Sequence, residues 1–166
     1  MTRWLPAYVG LGSNLDDPRR QLDAALSALR AADWVRALQV SRPYGSRPLG
    51  GREQPDYLNA VTVFLTPLEP EPLLERLREL ELRQGRPAAR ERWASRRIDL
   101  DLLCLGELQR RGDTLTLPHP GIVQRNFVLY PWAELAPDLW LPGLGRVRAL
   151  AGALSQEGLW VAGEKL

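Results

Sequence analysis

The stretch from Gly85 to Leu105 reads GRPAARERWASRRIDLDLLCL, an arginine-rich segment that runs directly into apolar residues interrupted by two acids. Successive side chains of a β-strand point to opposite faces, so Asp99 and Asp101 are expected on one face and their apolar neighbours on the other. The two carboxylates would then stand about 7 Å apart. This alternation predicts a strand, around which we interpret the rest of the chain.

Two acids side by side repel each other and resist ionisation unless a cation compensates them. Oxygen ligands of this kind suit Mg²⁺, which bridges protein carboxylates to substrate phosphates. The upstream arginines would supply counter-charge for a polyphosphate, and they are Arg86, Arg90, Arg92, Arg96 and Arg97. The combination indicates phosphoryl or nucleotidyl transfer. The alternative is a structural salt bridge to Arg96 or Arg97, because Asp-x-Asp on a strand is a common pattern.

The composition is that of an ordinary soluble globular protein, with 166 residues of which 45% are hydrophobic and 25% charged. This length predicts a single domain over residues 1–166. A net charge of +2 is too small to indicate nucleic-acid binding. No apolar run reaches the roughly 20 residues of a membrane helix, and MTRWLPAY lacks a signal-peptide core. The single cysteine, Cys104, is expected to be a small buried hydrophobe in a reducing cytoplasm.

Hydrophobic periodicity and turn residues divide the chain into strands and helices. The expected strands are Trp4–Leu11, Val35–Tyr44, Tyr57–Leu65 and the acidic strand, with an edge hairpin over Leu108–Leu117. The expected helices start near Pro18, run from Leu73 to Gln84, and span Gly121–Leu135, interrupted near Pro131, and Arg146–Gln156. This order predicts an α+β fold, a ferredoxin-like βαββαβ sandwich with helices on one face and a C-terminal appendage.

Three further features have both a functional and a structural interpretation. Gly10-x-Gly12-Ser-Asn is typical of a phosphate-binding turn, but a plain strand-to-helix turn needs glycine equally. Asn59 offers donors and an acceptor for the edge of an aromatic heterocycle, or it ties down a loop. His119, the only histidine, lies between two prolines downstream of the acidic strand, where it serves either a site or the structure.

Several motifs together resemble one known family, 6-hydroxymethyl-7,8-dihydropterin pyrophosphokinase of folate biosynthesis. The motifs occur in the family's order and cover most of the chain from Tyr8 to Pro142. They are GLGSNL (10–15), SRPLG (46–50), QPDYLNA (54–60), ELRQGR (81–86), ERWASRRIDLDLL (91–103) and LPHPGIVQRNFVL (117–129). No single motif is specific, but the set is.

The resemblance implies transfer of the terminal pyrophosphate of ATP to the hydroxymethyl group of a dihydropterin, with AMP as the other product. It implies two Mg²⁺ ions as cofactors and ATP as co-substrate. It further implies a cytoplasmic enzyme with small-molecule substrates, which we expect to be a monomer without nucleic-acid or membrane partners.

Functional residues of the family map onto this chain position by position. The metal ligands would be Asp99 and Asp101, and the residues implied in catalysis are Arg86, Arg92, Trp93, Arg96, Asp99 and Asp101. ATP would be contacted by Glu81, Arg86, Arg92, Trp93, Arg96, Leu102, His119 and Arg125. The pterin would be contacted by Ser46, Arg47, Leu49, Tyr57, Asn59, Trp93, Asp99 and Phe127. Trp93 would lie on a mobile loop that closes over the site and excludes water.

Two positions depart from the family pattern. The family often has an arginine two positions after Arg86, where this chain has Ala88, although Arg90 is close by. Many members have an aromatic or other side chain after the histidine, where this chain has Pro120. Neither departure removes a metal ligand. Both are therefore expected to affect the catalytic rate and the contacts to the nucleotide more than the type of reaction. No residue is an obvious general base, which transfer by positioning and charge stabilisation does not require.

Other classes of protein remain as alternatives. A ferredoxin-like RNA-binding module would need surface aromatics on its strands, and the acids would repel phosphate unless metal intervened. A different Mg²⁺-dependent nucleotidyl transferase or phosphohydrolase would use the same acids but release pyrophosphate or ADP. A non-catalytic interaction domain would leave the two acids unexplained.

Overall fold

An antiparallel sheet lies at the centre of the computed structural model, which describes residues 2–48, 53–85 and 97–166. Its strands are β1 (Leu5–Ser13), β2 (Arg36–Val40), β3 (Tyr44–Ser46), β4 (Tyr57–Thr66), β5 (Asp99–Leu105) and, after two small hairpins, β10 (Leu159–Val161). The hairpins are β6 (Arg110–Arg111) with β7 (Thr116–Leu117), and β8 (Trp140–Leu141) with β9 (Gly145–Arg146). The strand order is β10-β3-β4-β1-β5, and β2 also pairs with β4.

One face of the sheet is covered by two helices, α1 (Pro18–Ala31) and α2 (Pro70–Arg83). A proline stands in the first turn of each helix, where its missing N–H is not needed. The Asp17 side chain also caps α1, accepting from the Arg20 N–H at 3.4 Å. The helical period buries one side of each helix against Val9 and Leu11 of β1 and Phe64 of β4. The buried apolar residues of this core on the two helices are Leu22, Ala25, Leu26, Leu29, Leu73, Leu77 and Leu80.

Among the described residues, the opposite face is covered in part, by α3 (Asn126–Leu135) and α4 (Val147–Gly152). Trp132 of α3 is fully buried and packs on Tyr8 of β1, with ring centroids 5.3 Å apart. Val61 and Leu103 complete this second core from the sheet. The covered half thus excludes water, and the uncovered half carries the polar residues described below.

The ferredoxin-like α+β expectation is confirmed, and the C-terminal appendage supplies the second helical layer. Helices therefore lie on both faces, not on one. No helix within the described residues combines the length and the apolar character that crossing a membrane requires.

Several of the predicted element boundaries differ from the structure. The strand expected over Val35–Tyr44 is two strands. They are separated at Ser41, where the side-chain hydroxyl, in place of a backbone carbonyl, accepts the hydrogen bond from the Val61 N–H at 3.0 Å. The Leu108–Leu117 hairpin forms a separate two-stranded sheet. The segment from Gly121 opens with a 3₁₀ turn (Ile122–Gln124) before α3 starts.

Pro131 does not interrupt α3, which continues to Leu135 and closes with the Ala136 N–H bonded to the Trp132 carbonyl at 3.0 Å. Proline removes one backbone donor, and the burial of Val128, Leu129 and Trp132 against the sheet offsets that loss. The helix expected over Arg146–Gln156 is shorter, Val147–Gly152, and the strand β10 that follows it was not predicted.

Candidate active site

The two acids of β5 share one face of the sheet, as their spacing predicts. Leu100 and Leu102 are buried on the helix-covered face, whereas Asp99 and Asp101 are only half-buried on the other. In the antiparallel register, Asp99 stands opposite Gly12 and Asp101 opposite Gly10. The strand beside the carboxylates therefore carries no side chains at these positions, and the Leu103 side chain packs over Gly10, 3.7 Å from where a Cβ would stand.

Gly10 and Gly12 lie within β1, which extends to Ser13, and not in a turn after Leu11 as the sequence suggested. Pairing with β4 on one side and β5 on the other holds both glycines extended. A Cβ added at Gly12 would lie 3.4 Å from Asn59 Oδ1 and 3.9 Å from the Tyr57 ring. The glycines thus form a flat main-chain floor between the acids and β4, which we call the glycine floor.

A guanidinium faces Asp101 from the start of α3. Arg125 Nη1 lies 3.5 Å from Asp101 Oδ2, with 21% of the Arg125 side chain and 30% of the Asp101 side chain exposed. At this length and exposure the ion pair is weak and open to competition. The Arg125 guanidinium also rests on Gly121, where an added Cβ would come within 2.8 Å of it.

The sequence also allowed a structural salt bridge from Asp99 or Asp101 to Arg96 or Arg97, and the structure describes only the second of these arginines. Arg97 Nε donates instead to Asp16 Oδ2 at 2.6 Å, on the loop before α1. Arg96 lies outside the described residues, as do Arg86, Arg92, Trp93, Ala88, Arg90 and Leu49.

His119 is tied to the same edge of the sheet. Its backbone N–H donates to the Leu103 carbonyl at 2.8 Å, and its Nδ1 accepts from the Gly121 N–H at 3.0 Å. Burial, and then the positive charge of Arg125, lower the pKa of His119 from 6.5 to about 4, although Asp99 opposes the shift. The ring is therefore neutral near pH 7, and with Nδ1 accepting, its proton is assigned to Nε2 as a donor.

Asn59 of β4 has a defined amide orientation. Its Nδ2 donates to the Tyr44 carbonyl at 3.1 Å and to Ser46 Oγ at 2.8 Å. Both amide hydrogens are used within the protein, so Oδ1 is left over the glycine floor as an acceptor. Asn59 is 4% exposed, and Ser46 is also buried. Of the two alternatives drawn from the sequence, the structural one is observed, because the amide donors hold β3, and recognition of a heterocycle edge by Oδ1 stays a prediction.

The remaining candidates border this region from two sides. Tyr57 is half-buried on β4, opposite Ser46 of β3. Phe127 is half-buried in the first turn of α3 and packs against the second core. The backbone N–H of Arg47 donates to the Gly158 carbonyl at 3.1 Å.

A cavity of about 690 Å³ opens beside β5, the last strand in the described sheet order, between α2 and the loop of the β6–β7 hairpin. It brings together Glu81, Asp101, Leu102 and His119, all named from the sequence. Glu81 is buried, and its Oε2 accepts from the Leu100 N–H at 2.8 Å, which holds α2 to β5.

The cavity also has a wall that the sequence did not identify. Its further lining residues include Leu74, Arg78, Leu82, Asp113, Thr114 and Thr116. Arg78 stands three residues before Glu81 on α2, a spacing that places both on one helix face and could have indicated it. The loop residues carry no comparable local signal, because their position depends on the hairpin.

Comparison with known proteins identifies the family of the chain. The family model described as 7,8-dihydro-6-hydroxymethylpterin-pyrophosphokinase (HPPK) matches residues 8–137. The chain is 44% identical to 2-amino-4-hydroxy-6-hydroxymethyldihydropteridine pyrophosphokinase of Haemophilus influenzae, over 83% of this chain and 86% of that protein. It is also 44% identical to the Pseudomonas aeruginosa protein of the same name, over 92% of this chain and 93% of that one.

Among solved structures, a variant of Plasmodium falciparum HPPK-DHPS crystallised with pterin and p-hydroxybenzoate shares the fold, with a TM-score of 0.74 at 12% identity. The match covers 98% of this chain but 48% of that one, so the chain spans about half the length of the solved protein. The sequence matches over most of both chains show that this chain belongs to the 7,8-dihydro-6-hydroxymethylpterin-pyrophosphokinase family.

Proposed function

We propose that the chain transfers the terminal pyrophosphate of ATP to the hydroxymethyl group of 6-hydroxymethyl-7,8-dihydropterin, giving AMP and the pterin diphosphate, with two Mg²⁺ ions. Family membership supports the reaction class. The observation that carries the proposal for this chain is the placement of Asp99 and Asp101 on one face, beside the glycine floor.

The two carboxylates fit a magnesium site. Across residues 2–48, 53–85 and 97–166, no three His, Cys, Asp or Glu side chains gather as a set of metal ligands. Mg²⁺ does not require such a cage, because it keeps several waters and is held by one or two carboxylates together with substrate phosphates. When bound, Mg²⁺ neutralises phosphate charge and orients the reacting oxygens.

ATP is proposed to occupy the cavity at the edge of β5. Its volume of about 690 Å³ is in the usual range for small-molecule sites. Leu102 and the apolar part of α2 suit a flat base, while His119 presents an N–H donor toward phosphate oxygens. Arg125 lies beside Asp101 and can move from this weak ion pair to a phosphate, where two charge-assisted bonds are available.

The pterin is proposed to lie over the glycine floor. Asn59 presents an acceptor there, so it selects a ligand edge that donates an N–H. Phe127 and Tyr57 flank the opening with aromatic surface suited to a flat ring. Ser46 belongs to the strand that holds Asn59, and Arg47 directly follows that strand. The hydroxymethyl group would then point toward Asp99 and Asp101.

Catalysis in this arrangement depends on positioning and charge. The floor and the β5 cavity meet at Asp101, so a hydroxyl over the floor and a triphosphate in the cavity are brought to one place. Neutral His119 and positive Arg125 act on developing phosphate charge without a proton transfer. Roles for Arg86, Arg92, Trp93, Arg96 and the pterin contact of Leu49 rest on the family resemblance alone, since these positions lie outside the described residues.

The wider setting is part of the same proposal. We take residues 1–166 as one pyrophosphokinase domain acting as a cytoplasmic monomer on small molecules, without nucleic-acid or membrane partners. The pairing of β10 with β3 supports a single unit, because it returns the end of the chain to the sheet. An RNA-binding role is disfavoured because β1 and β5 present glycines and acids where stacking aromatics would be needed.

Product analysis tests the proposal directly. Wild-type protein, ATP, Mg²⁺ and the pterin should yield AMP and a pyrophosphorylated pterin; ADP or free pyrophosphate would instead indicate another transferase or a hydrolase. Asp99→Asn and Asp101→Asn should each lower kcat by several orders of magnitude. Asp23→Asn, at an exposed site on α1, is the matched control and should retain wild-type rate. Near-normal rates in both site variants would remove the metal assignment.

A further inference from the structure

The last part of the chain joins two elements that border the proposed pterin site. We call residues 154–162 the C-terminal bridge; they lie beyond the range 8–137 that the family model matches. Strand β10, within this bridge, pairs antiparallel with β3, placing Leu159 opposite Ser46, Trp160 opposite Gly45 and Val161 opposite Tyr44. Backbone bonds extend the pairing at both ends, from the Arg47 N–H to the Gly158 carbonyl at 3.1 Å and from the Ala162 N–H to the Pro43 carbonyl at 2.9 Å.

The other end of the bridge is held by α3. Asn126 Nδ2 donates to the Ser155 carbonyl at 2.9 Å and to the Glu157 carbonyl at 3.3 Å. The Tyr130 hydroxyl donates to the Leu154 carbonyl at 2.9 Å. Asn126 stands between Arg125, which faces Asp101, and Phe127, which is proposed to face the pterin. The bridge therefore connects the first turn of α3 to β3.

Trp160 secures the connection at β3. A Cβ added at Gly45 would overlap the indole of Trp160, so the ring lies directly on the Gly45 backbone. Gly45 is needed here because of this close approach. Trp160 is itself 43% exposed, so the contact involves one side of the ring and the other faces solvent.

β3 has a special need for such support. It is only three residues long, and strands that short have little stability of their own. Its Tyr44 carbonyl and Ser46 Oγ are the two acceptors that orient the Asn59 amide. Pairing with β10 on one side and β4 on the other places β3 inside the sheet; without β10 it would become an edge strand, free to fray.

We infer that the C-terminal bridge sets the spacing between Phe127 on one side of the pterin site and Ser46 with Asn59 on the other, and that Trp160 and Asn126 are positioning residues for the pterin. This rests on the proposed function, since it names how the substrate pocket of that reaction is held in shape. The nucleotide cavity lies at the opposite edge of the sheet and does not involve the bridge.

The test compares binding of the two substrates. Trp160→Ala and Asn126→Ala should each raise the Kd of 6-hydroxymethylpterin, measured by calorimetry with Mg²⁺ and a non-hydrolysable ATP analogue, by about fivefold or more, because small displacements in a binding site have large effects. The Kd of the ATP analogue alone should stay within about twofold of wild type. KM for the pterin should rise more than kcat falls. Trp160→Phe, which keeps a flat ring over Gly45, should restore most of the affinity.

Trp140→Ala is the matched control, since Trp140 is 60% exposed and lies on the β8–β9 hairpin, which forms a sheet separate from the one that contains β3 and β10. It should leave both dissociation constants unchanged. Gly45→Ala should weaken pterin binding in the wild-type background but add nothing in Trp160→Ala, because the clash is with the indole.

The inference is overturned if Trp160→Ala and Asn126→Ala bind the pterin like wild type. It is equally overturned if both substrates weaken together in step with the melting temperature, since that pattern means a general loss of structure. Failure of the proposed function looks different: wild-type protein would form no pterin diphosphate in the product assay. If wild-type protein forms no pterin diphosphate but still binds the pterin, the dissociation constants of the variants still test the role of the C-terminal bridge. If wild-type protein does not bind the pterin, both the proposed function and this inference are excluded.

Discussion

Replacing Asn59 with alanine probes the amide orientation on which pterin recognition is proposed to depend. The Asn59 Nδ2 donates to the Tyr44 carbonyl at 3.1 Å and to Ser46 Oγ at 2.8 Å. Each bond contributes about 1 kcal/mol net, and a buried acceptor left without its donor adds to the loss. Asn59→Ala should therefore lower the free energy of unfolding by about 2 to 3 kcal/mol.

The same substitution removes Oδ1, the acceptor above Gly12. Loss of one such hydrogen bond corresponds to about 1.4 kcal/mol, which is about tenfold in Kd. Calorimetry with Mg²⁺ and a non-hydrolysable ATP analogue should show the pterin Kd rising by this factor or more. The Kd of the analogue should be unchanged, since Asn59 is not among the residues that line the β5 cavity.

Thr62→Val separates recognition from stability. Thr62 is buried on the same strand as Asn59 but on the opposite face, and its hydroxyl donates to the Gln39 carbonyl at 2.6 Å. Urea unfolding should show a loss of about 1 kcal/mol, with no change in pterin affinity. The reasoning is refuted if Asn59→Ala binds the pterin as wild type does. It is also refuted if Thr62→Val weakens pterin binding comparably, because affinity would then follow stability.

Two further predictions concern pH. His119 is the only histidine, so its ring proton can be followed alone by NMR, and its midpoint should lie near the pKa of about 4 that burial and Arg125 impose, well below 6.5. The contribution of neutral His119 to the free energy of unfolding should be fully present above pH 6.5 and should decline as the pH falls toward 4. An NMR titration midpoint at pH 6.5 would contradict this prediction. Burial, and then the hydrogen bond to Glu134, raise the pKa of Tyr44 from 10.0 to about 12. The melting temperature should therefore fall between pH 10 and pH 12 in wild type but not in Tyr44→Phe. Equal slopes of melting temperature against pH in the two proteins would argue against the contact between Tyr44 and Glu134.

Local pattern was sufficient for the framework of the fold. The alternation in Asp99, Leu100 and Asp101 placed the acids on one face, because a strand has a side-chain period of two regardless of its neighbours. The helical period placed Leu22 and Leu26 of α1 in the core in the same way. These elements were predictable since each carries its own signal.

Distant partners determined what the sequence did not predict. Arg97 pairs with Asp16, which stands 81 residues earlier, instead of with the nearby acids. Gly10 and Gly12 indicate a turn by composition, yet pairing with two neighbouring strands overrides that preference. β10 has three residues with no distinguishing pattern, and it is a strand because β3 offers it an edge.

The glycine floor has a consequence for inhibitor design. A compound that lies flat on Gly10 and Gly12 would contact main-chain atoms, which no substitution can delete, so resistance there must come from added bulk. At Gly12 an extra methyl would stand 3.4 Å from Asn59 Oδ1, so it would hinder the pterin proposed to lie there along with the inhibitor. At Gly10 the nearest atoms, of Leu103 and Asp101, are 3.7 to 4.0 Å away, so the protein would accommodate an added methyl there more readily than at Gly12.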